Sequence, residues 1–295
     1  MGDFMDGIIL INKEKEYTSQ DVVSCVKKIL NQSKAGHTGT LDPLATGVLP
    51  VLLGSATKLS KYLIEHDKIY EAIIKLGQKT TTGDLEGEVI EEKNINVQNL
   101  EKNNVEMVLN TFLGESFQIP PMYSAIKVNG KKLYEYARDG IEIERKKRKI
   151  NIYKIELLNI DLESYEIKIR VKCSKGTYIR TLCEDIAQKL DTVGFMKELI
   201  RVQVDEFEIK DAIALKELED ITNKEEKIIT IEEYYTKYNN LKAININEEN
   251  KLKLFLNGNP IKISENDGMY KIYTKKQFLG IGIVEKNRLK RDIIT

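Results

Sequence analysis

Histidine and cysteine are scarce in this chain of 295 residues, which holds two of the first and three of the second. His37 and His66, with no cysteine pair nearby, make a poor metal site. Cys25, Cys173 and Cys183 are odd in number and lack CxxC spacing, so neither a disulfide framework nor a structural zinc site is expected, and they read as core or near-core thiols. Long apolar runs are missing too. The run Val48 to Leu53 is short and contains Pro50, so no segment is expected to span a membrane. No secretory signal is read, and Asp6 stands where a myristoylation signal carries Ser or Thr, which makes the cytoplasm the expected location. The pattern GxxxxGK followed by Ser or Thr is absent, which removes a phosphate-loop nucleotide enzyme. There are no internal repeats and no low-complexity tract.

Net charge is absent as well, with 46 Lys and Arg against 46 Asp and Glu, so the total does not announce a nucleic-acid partner. Its distribution says more. Lys127 to Lys149 holds nine basic residues against four acids, whereas Asp205 to Glu233 holds eleven acids against four lysines. With Tyr123, Tyr134 and Tyr136 in or beside it, the basic segment offers both phosphate contacts and stacking surfaces to RNA.

Periodicity gives the coarse fold. Gly7 to Ile11 reads as a strand, and Thr18 to Leu30 as a helix whose Thr18 and Asp21 have capping-box spacing. Ala56 to Ile64 and Asn99 to Phe112 read as helices, the second closed by Gly114. Tyr70, Ala72, Ile74 and Leu76 alternate with polar residues as a strand does, and the TTTGDLEG that follows is a loop. Strands at Ile152 to Ile160 and Tyr165 to Cys173 pair around Glu163-Ser164, and a helix carries Ile179, Leu182, Cys183, Ile186 and Leu190. Without a regular βαβ rhythm, the expected class is α+β with a mixed, largely antiparallel sheet. A boundary is placed near Asn239-Asn240, followed by a small β-rich module punctuated by Gly258, Gly268 and Gly280.

The densest stretch is GHTGTLDPLATGVLPVLLG, Gly36 to Gly54. Pro43 biases Asp42 toward an extended backbone, and Gly36, Gly39 and Gly47 permit turns and close approach of a ligand. This segment resembles the catalytic motif of the TruB-type tRNA pseudouridine synthases, which modify uridine 55. Three further blocks are similar to that family, in its order: DKIYEAIIKLGQKTTTGDLEG, IPPMYSAIKVNGKKLYEYARDGIE and CSKGTYIRTL. NGNPIK, Asn257 to Lys262, resembles the start of the RNA-binding PUA domain that ends many members.

The resemblance implies a catalytic domain over 1–238, an RNA-gripping insertion over 122–150 and a PUA-like domain over 239–295. It implies Asp42 as the catalytic aspartate, Arg180 as its pairing arginine, and Tyr70 as the tyrosine that stacks on the target base and moves a proton. His37 matches the residue that enters the gap left by the flipped nucleotide. Tyr178 and Leu199 are expected to wall the uracil pocket, and Lys127, Lys131 and Lys132 to meet RNA. Neither a metal nor an organic cofactor is implied, the partner is tRNA through its TΨC stem-loop and acceptor end, and the expected state is a monomer. An additional role in tRNA folding is compatible with the same surfaces. Asp42 can attack C1′ as a nucleophile or remove the C2′ proton, and the sequence leaves both routes open. The guide-RNA-dependent branch of the superfamily is the alternative within catalysis, against which MYSAIKVNGKKLYEYAR reads as the stand-alone type.

Overall fold

The computed structural model describes residues 5–275 and 277–295. Ten strands form one large sheet, whose main path runs Ile228–Thr230, Gly7–Lys13, Thr46–Leu53, Gly194–Val204, Lys68–Leu76, Glu166–Cys173, Arg148–Asp161, Gly114–Gln118. Every pairing is antiparallel except one, Ile200 and Arg201 of the fourth strand beside Thr46 and Gly47 of the third. The expected class is therefore what the chain adopts.

Gly7–Lys13 is apolar almost throughout because both of its faces are covered. Ile9 and Ile11 pack with Val22, Val23 and Val26 of helix Ser19–Ile29, while Ile8 and Leu10 pack with Leu59, Tyr234 and Phe207. Lys68–Leu76 alternates instead, since only Ala72, Ile74 and Leu76 enter a core shared with helix Ile179–Lys189. Thr18 and Asp21 form the anticipated capping box.

Two helices are shorter than their periodicity suggests. Gly54–Leu59 is a 3₁₀ turn held by Asp6, which accepts from Ser55 N at 2.6 Å, and only Ser60–Leu63 is α-helical. Asn96 caps a second 3₁₀ turn, Val97–Leu100; extended Glu101 then breaks the backbone before helix Lys102–Asn110. Gly114 does not merely close that helix but opens the edge strand, at φ +91°. The hairpin between Arg148–Asp161 and Glu166–Cys173 turns where expected, because Asp161 Oδ1 accepts from Glu163 N and Ser164 N.

From Ile119 to Lys147 the chain leaves the sheet. It forms a ribbon, Lys127–Val128 against Lys131–Lys132, turned by Asn129 and Gly130 at positive φ, and a helix, Leu133–Arg138. The C-terminal module is a five-stranded sheet, with helix Glu249–Leu256 unanticipated by sequence. Gly280 stands inside strand Gln277–Glu285 rather than between strands, since a Cβ there would run into the Ile293 backbone. The module shares a core with the large sheet, where Ile281 and Ile293 meet Tyr234, Tyr235, Leu59 and Leu63. Asp292 also accepts from Lys61 and, at 2.7 Å, from the Tyr62 hydroxyl. No helix among the described residues is long and apolar enough to cross a membrane.

Candidate active site

The loop from Thr38 to Ala45 joins the short strand Ala35–His37 to Thr46–Leu53 and carries Asp42. Its shape is fixed from three sides. Ser19 Oγ takes the Leu41 backbone, donating to its carbonyl at 3.1 Å and accepting from its N–H at 2.9 Å. Fully buried Lys13 donates to the Pro43 carbonyl at 3.0 Å and to the Glu14 and Tyr17 carbonyls. Burial also lowers its pKa to about 8, against the attraction of Asp42. Arg201, likewise fully buried, donates to Val48 O at 2.9 Å and to Gly39 O at 3.2 Å, gripping the loop at both ends. Gly47 is required here: it sits at φ +108°, and a Cβ would collide with the Arg201 backbone.

Arg180 lies in the first turn of helix Ile179–Lys189, as expected, and is 5% exposed. Its Nε meets Asp42 Oδ2 at 3.2 Å. The remaining guanidinium nitrogens do not join a two-pronged grip on Asp42. Nη1 faces Asp84 Oδ2 at 3.3 Å and the Thr82 carbonyl at 3.1 Å, and Nη2 donates to the Tyr123 carbonyl at 2.7 Å. Asp84, buried in the loop that sequence reading left without a role, thus shares Arg180 with Asp42. Burial pushes the Asp42 pKa up; Arg180 opposes that shift, and Asp84 adds to it. The arginine therefore limits the rise without reversing it.

Asp42 and Arg180 belong to a cleft of about 790 Å³. Tyr70, Tyr178, Leu199 and Lys127 line it with them, so six of the nine residues expected from sequence converge. Tyr70 pairs across the sheet with Arg201, and burial raises its hydroxyl pKa while the Arg201 charge opposes that rise. Tyr178 precedes the Arg180 helix, its main chain held by the Gln118 amide. His37 ends the strand before the loop but is not part of the cleft lining; burial and Arg201 lower its pKa. Lys131 and Lys132 turn to Asp139 and to the Tyr134 hydroxyl within the 119–147 segment. Seven basic side chains line the cleft against one acid, Asp42, which the neutral total conceals. Among the described residues no group of three or more His, Cys, Asp or Glu is placed to hold a metal.

Sequence reading missed Asp84, Arg201 and Lys13. A signal existed for Arg201, a lone arginine among the apolar residues of LIRVQV, and for Asp84 in its place within a recognisable block. Lys13 gave none, because lysine at a strand end is ordinary.

Residues 27–179 match the TruB family pseudouridylate synthase N-terminal domain, 180–238 the tRNA pseudouridylate synthase B C-terminal domain, and 243–290 the C-terminal region of pseudouridine synthase II TruB. The tRNA pseudouridine synthase B of Francisella tularensis subsp. holarctica is 43% identical over 285 residues, covering 97% of this chain and 93% of the relative. That of Clostridium kluyveri is 46% identical over 286 residues, covering 95% and 96%. Among solved structures, a Cbf5-Nop10-Gar1 complex shares the fold at TM-score 0.69 and 24% identity, covering all of this chain and 90% of the other. An H/ACA RNP bound to a substrate RNA containing 2′-deoxyuridine matches at TM-score 0.63 and 26% identity, covering 97% and 83%. With one family domain spanning more than half of the chain and relatives this similar along nearly all of it, the chain belongs to the TruB family of pseudouridine synthases.

Proposed function

We propose that this protein isomerises uridine 55 in the TΨC arm of tRNA to pseudouridine, acting without a guide RNA. The observation that carries the reading is Asp42 paired with buried Arg180 in a cleft whose other charged side chains are all cations. Relatives named tRNA pseudouridine synthase B, similar over almost their full length, support tRNA as the substrate.

The uridine leaves the stack and enters the cleft, where Tyr70 and Leu199 face the uracil and Tyr178 walls it. Ionised Asp42 then attacks C1′ or removes the C2′ proton, and the C1′–N1 bond breaks. The detached uracil rotates and C5 bonds to C1′, breaking the Asp42–C1′ ester in the first route or with the C2′ proton returned by Asp42 in the second; the C5 proton then departs and N1 gains one. Arg180 orients the carboxylate through Nε, while its contacts with Asp84 and two carbonyls keep the guanidinium from following the substrate. His37 fills the gap left by the flipped base, and its lowered pKa suits a neutral ring.

We assign 1–238 to the catalytic domain and 122–150 to the element that grips the arm, with Lys127 meeting phosphate. Lys131 and Lys132 engage RNA by leaving Asp139 and Tyr134. The 239–295 module, PUA-like in this reading, contacts the acceptor end, and the protein works as a cytoplasmic monomer. The test is incubation of purified protein with unmodified tRNA: a single carbodiimide-adduct stop at position 55 is expected, and its absence, or stops elsewhere, would reject the assignment.

A further inference from the structure

Five of the seven basic side chains around the cleft already have partners. Arg180 holds Asp42 and Asp84, Arg201 holds the Val48 and Gly39 carbonyls, and Lys68 donates to the Ile64 and His66 carbonyls. Lys149 pairs with Glu115 at 2.7 Å, and Lys175 pairs with Glu65. Lys127 and Arg148 have neither an acid nor a hydrogen-bond acceptor among the described residues, and both are exposed. Lys127 stands on the ribbon of the 119–147 segment. Arg148 does not: it is the first residue of strand Arg148–Asp161, where the chain rejoins the large sheet.

We propose that Arg148 is a phosphate-binding residue of this site, its guanidinium taking the non-bridging oxygens of one phosphodiester that flanks the flipped uridine. The proposal rests on the function proposed above. Its geometry comes from the frame that carries Arg180. Arg148 lies opposite Gln118 in the sheet, and the Gln118 amide accepts from Tyr178 N at 2.8 Å and donates to Tyr178 O at 3.0 Å. Two residues beyond Tyr178 is Arg180. A cation at Arg148 is thus held in register with the Asp42 pair by a strand, not by a mobile loop. Arg148 and Tyr178 line the same cleft, and the Arg148 charge acts on the Tyr178 hydroxyl.

The chemistry favours phosphate over a carboxylate or the base itself. A nucleotide whose C1′ reaches Asp42 brings two phosphodiester charges to the rim of a cleft whose deeper cations already have their donors engaged. An unpaired guanidinium at that rim presents a planar fork that matches two phosphate oxygens, which an ammonium cannot do.

The test uses RNA stem-loops containing the target uridine, with the phosphodiester on its 5′ or its 3′ side replaced one at a time by a neutral methylphosphonate. Affinity is measured by fluorescence anisotropy across a salt series for wild type, Arg148→Ala and Arg148→Lys. On unmodified RNA, Arg148→Ala is expected to bind about tenfold more weakly, with the slope of log K against log salt reduced by about one, and Arg148→Lys to recover the slope more than the affinity. On one of the two methylphosphonate RNAs, wild type and Arg148→Ala are expected to bind alike. Unchanged affinity and slope in Arg148→Ala would overturn the proposal. So would a loss of equal size on both methylphosphonate RNAs, which would make Arg148 a support for Tyr178 instead. If wild type binds and converts the stem-loop while Arg148→Ala is indistinguishable from it, this assignment alone falls. If wild type fails on the stem-loop and on full-length tRNA alike, the proposed function falls with it.

Discussion

Replacing Arg180 by lysine keeps a positive charge in the same turn of the same helix and removes the fork. The structure gives the size of the loss. Arg180 uses Nε for Asp42, Nη1 for Asp84 and the Thr82 carbonyl, and Nη2 for the Tyr123 carbonyl. One ammonium cannot span these directions, so it serves Asp42 or Asp84 and leaves the other unpaired. A buried charge-assisted hydrogen bond contributes about 1.5–3 kcal/mol, or about ten- to a hundredfold in rate. Because Asp42 also loses its orientation, Arg180→Lys is expected to slow single turnover at least about a hundredfold. Arg180→Met should be slower still and should shift the pH dependence. Desolvation in the cleft raises the Asp42 pKa above that of an ordinary aspartate, and Arg180 is the largest influence opposing that. Without the cation its pKa rises further, the ionised form is lost at higher pH as acid is added, and the acidic limb moves upward. Asp84→Asn should move the limb downward, since Asp84 raises the Asp42 pKa. The assay is a single-turnover pH profile at saturating tRNA, with folding checked by circular dichroism. A lysine variant at the wild-type rate, or an unmoved limb in a well-folded methionine variant, would refute the coupling.

Asp42→Asn should abolish turnover while tRNA affinity stays within about tenfold, because shape and the surrounding cations remain; a gel-shift titration beside a single-turnover assay separates the two. His37 should titrate below 6.5 by NMR, easily assigned in a chain with two histidines. Since the unfolded chain binds that proton more readily, His37 should cost stability as pH falls below about 6.5, and a His37 midpoint at or above that value would contradict the structure. Gly47→Ala should cost at least about 2 kcal/mol and lower Tm by several degrees, because it adds a Cβ at φ +108° against the Arg201 backbone; an unchanged melting curve would count against that contact. Deleting residues from about Asn240 onward should lower Tm as well as tRNA affinity, since Ile281 and Ile293 share a core with Tyr234 and Tyr235; a truncated protein that melts like the full chain would show that this packing contributes little.

Much of this was readable from the chain because local signals and tertiary demands agree. The Thr18–Asp21 box starts a helix regardless of context, and the alternation in Lys68–Leu76 reflects one buried face. Signals failed where long-range packing decides. Gly194–Val204 went unassigned as a strand although it is central to the sheet, because burial against two neighbours mixes Lys, Glu and Arg into an apolar run without clean alternation. In the site, Asp42 and Arg180 stood in distinctive blocks. The division of one guanidinium between two aspartates was invisible, because nothing local in either block says where the other will lie.

The parallel pairing of Thr46–Leu53 with Gly194–Val204 bears on when the site forms during synthesis. Arg201 reaches Val48 and Gly39 across 153 and 162 residues of chain. Until that arginine has emerged and Gly194–Val204 has inserted between Thr46–Leu53 and Lys68–Leu76, the Asp42 loop has only its own hairpin and the Ser19 and Lys13 contacts to shape it. Closure over so long a span is entropically slow, so a growing chain has its basic insertion exposed well before it has a catalytic floor. RNA can meet the nascent protein before it can be modified by it.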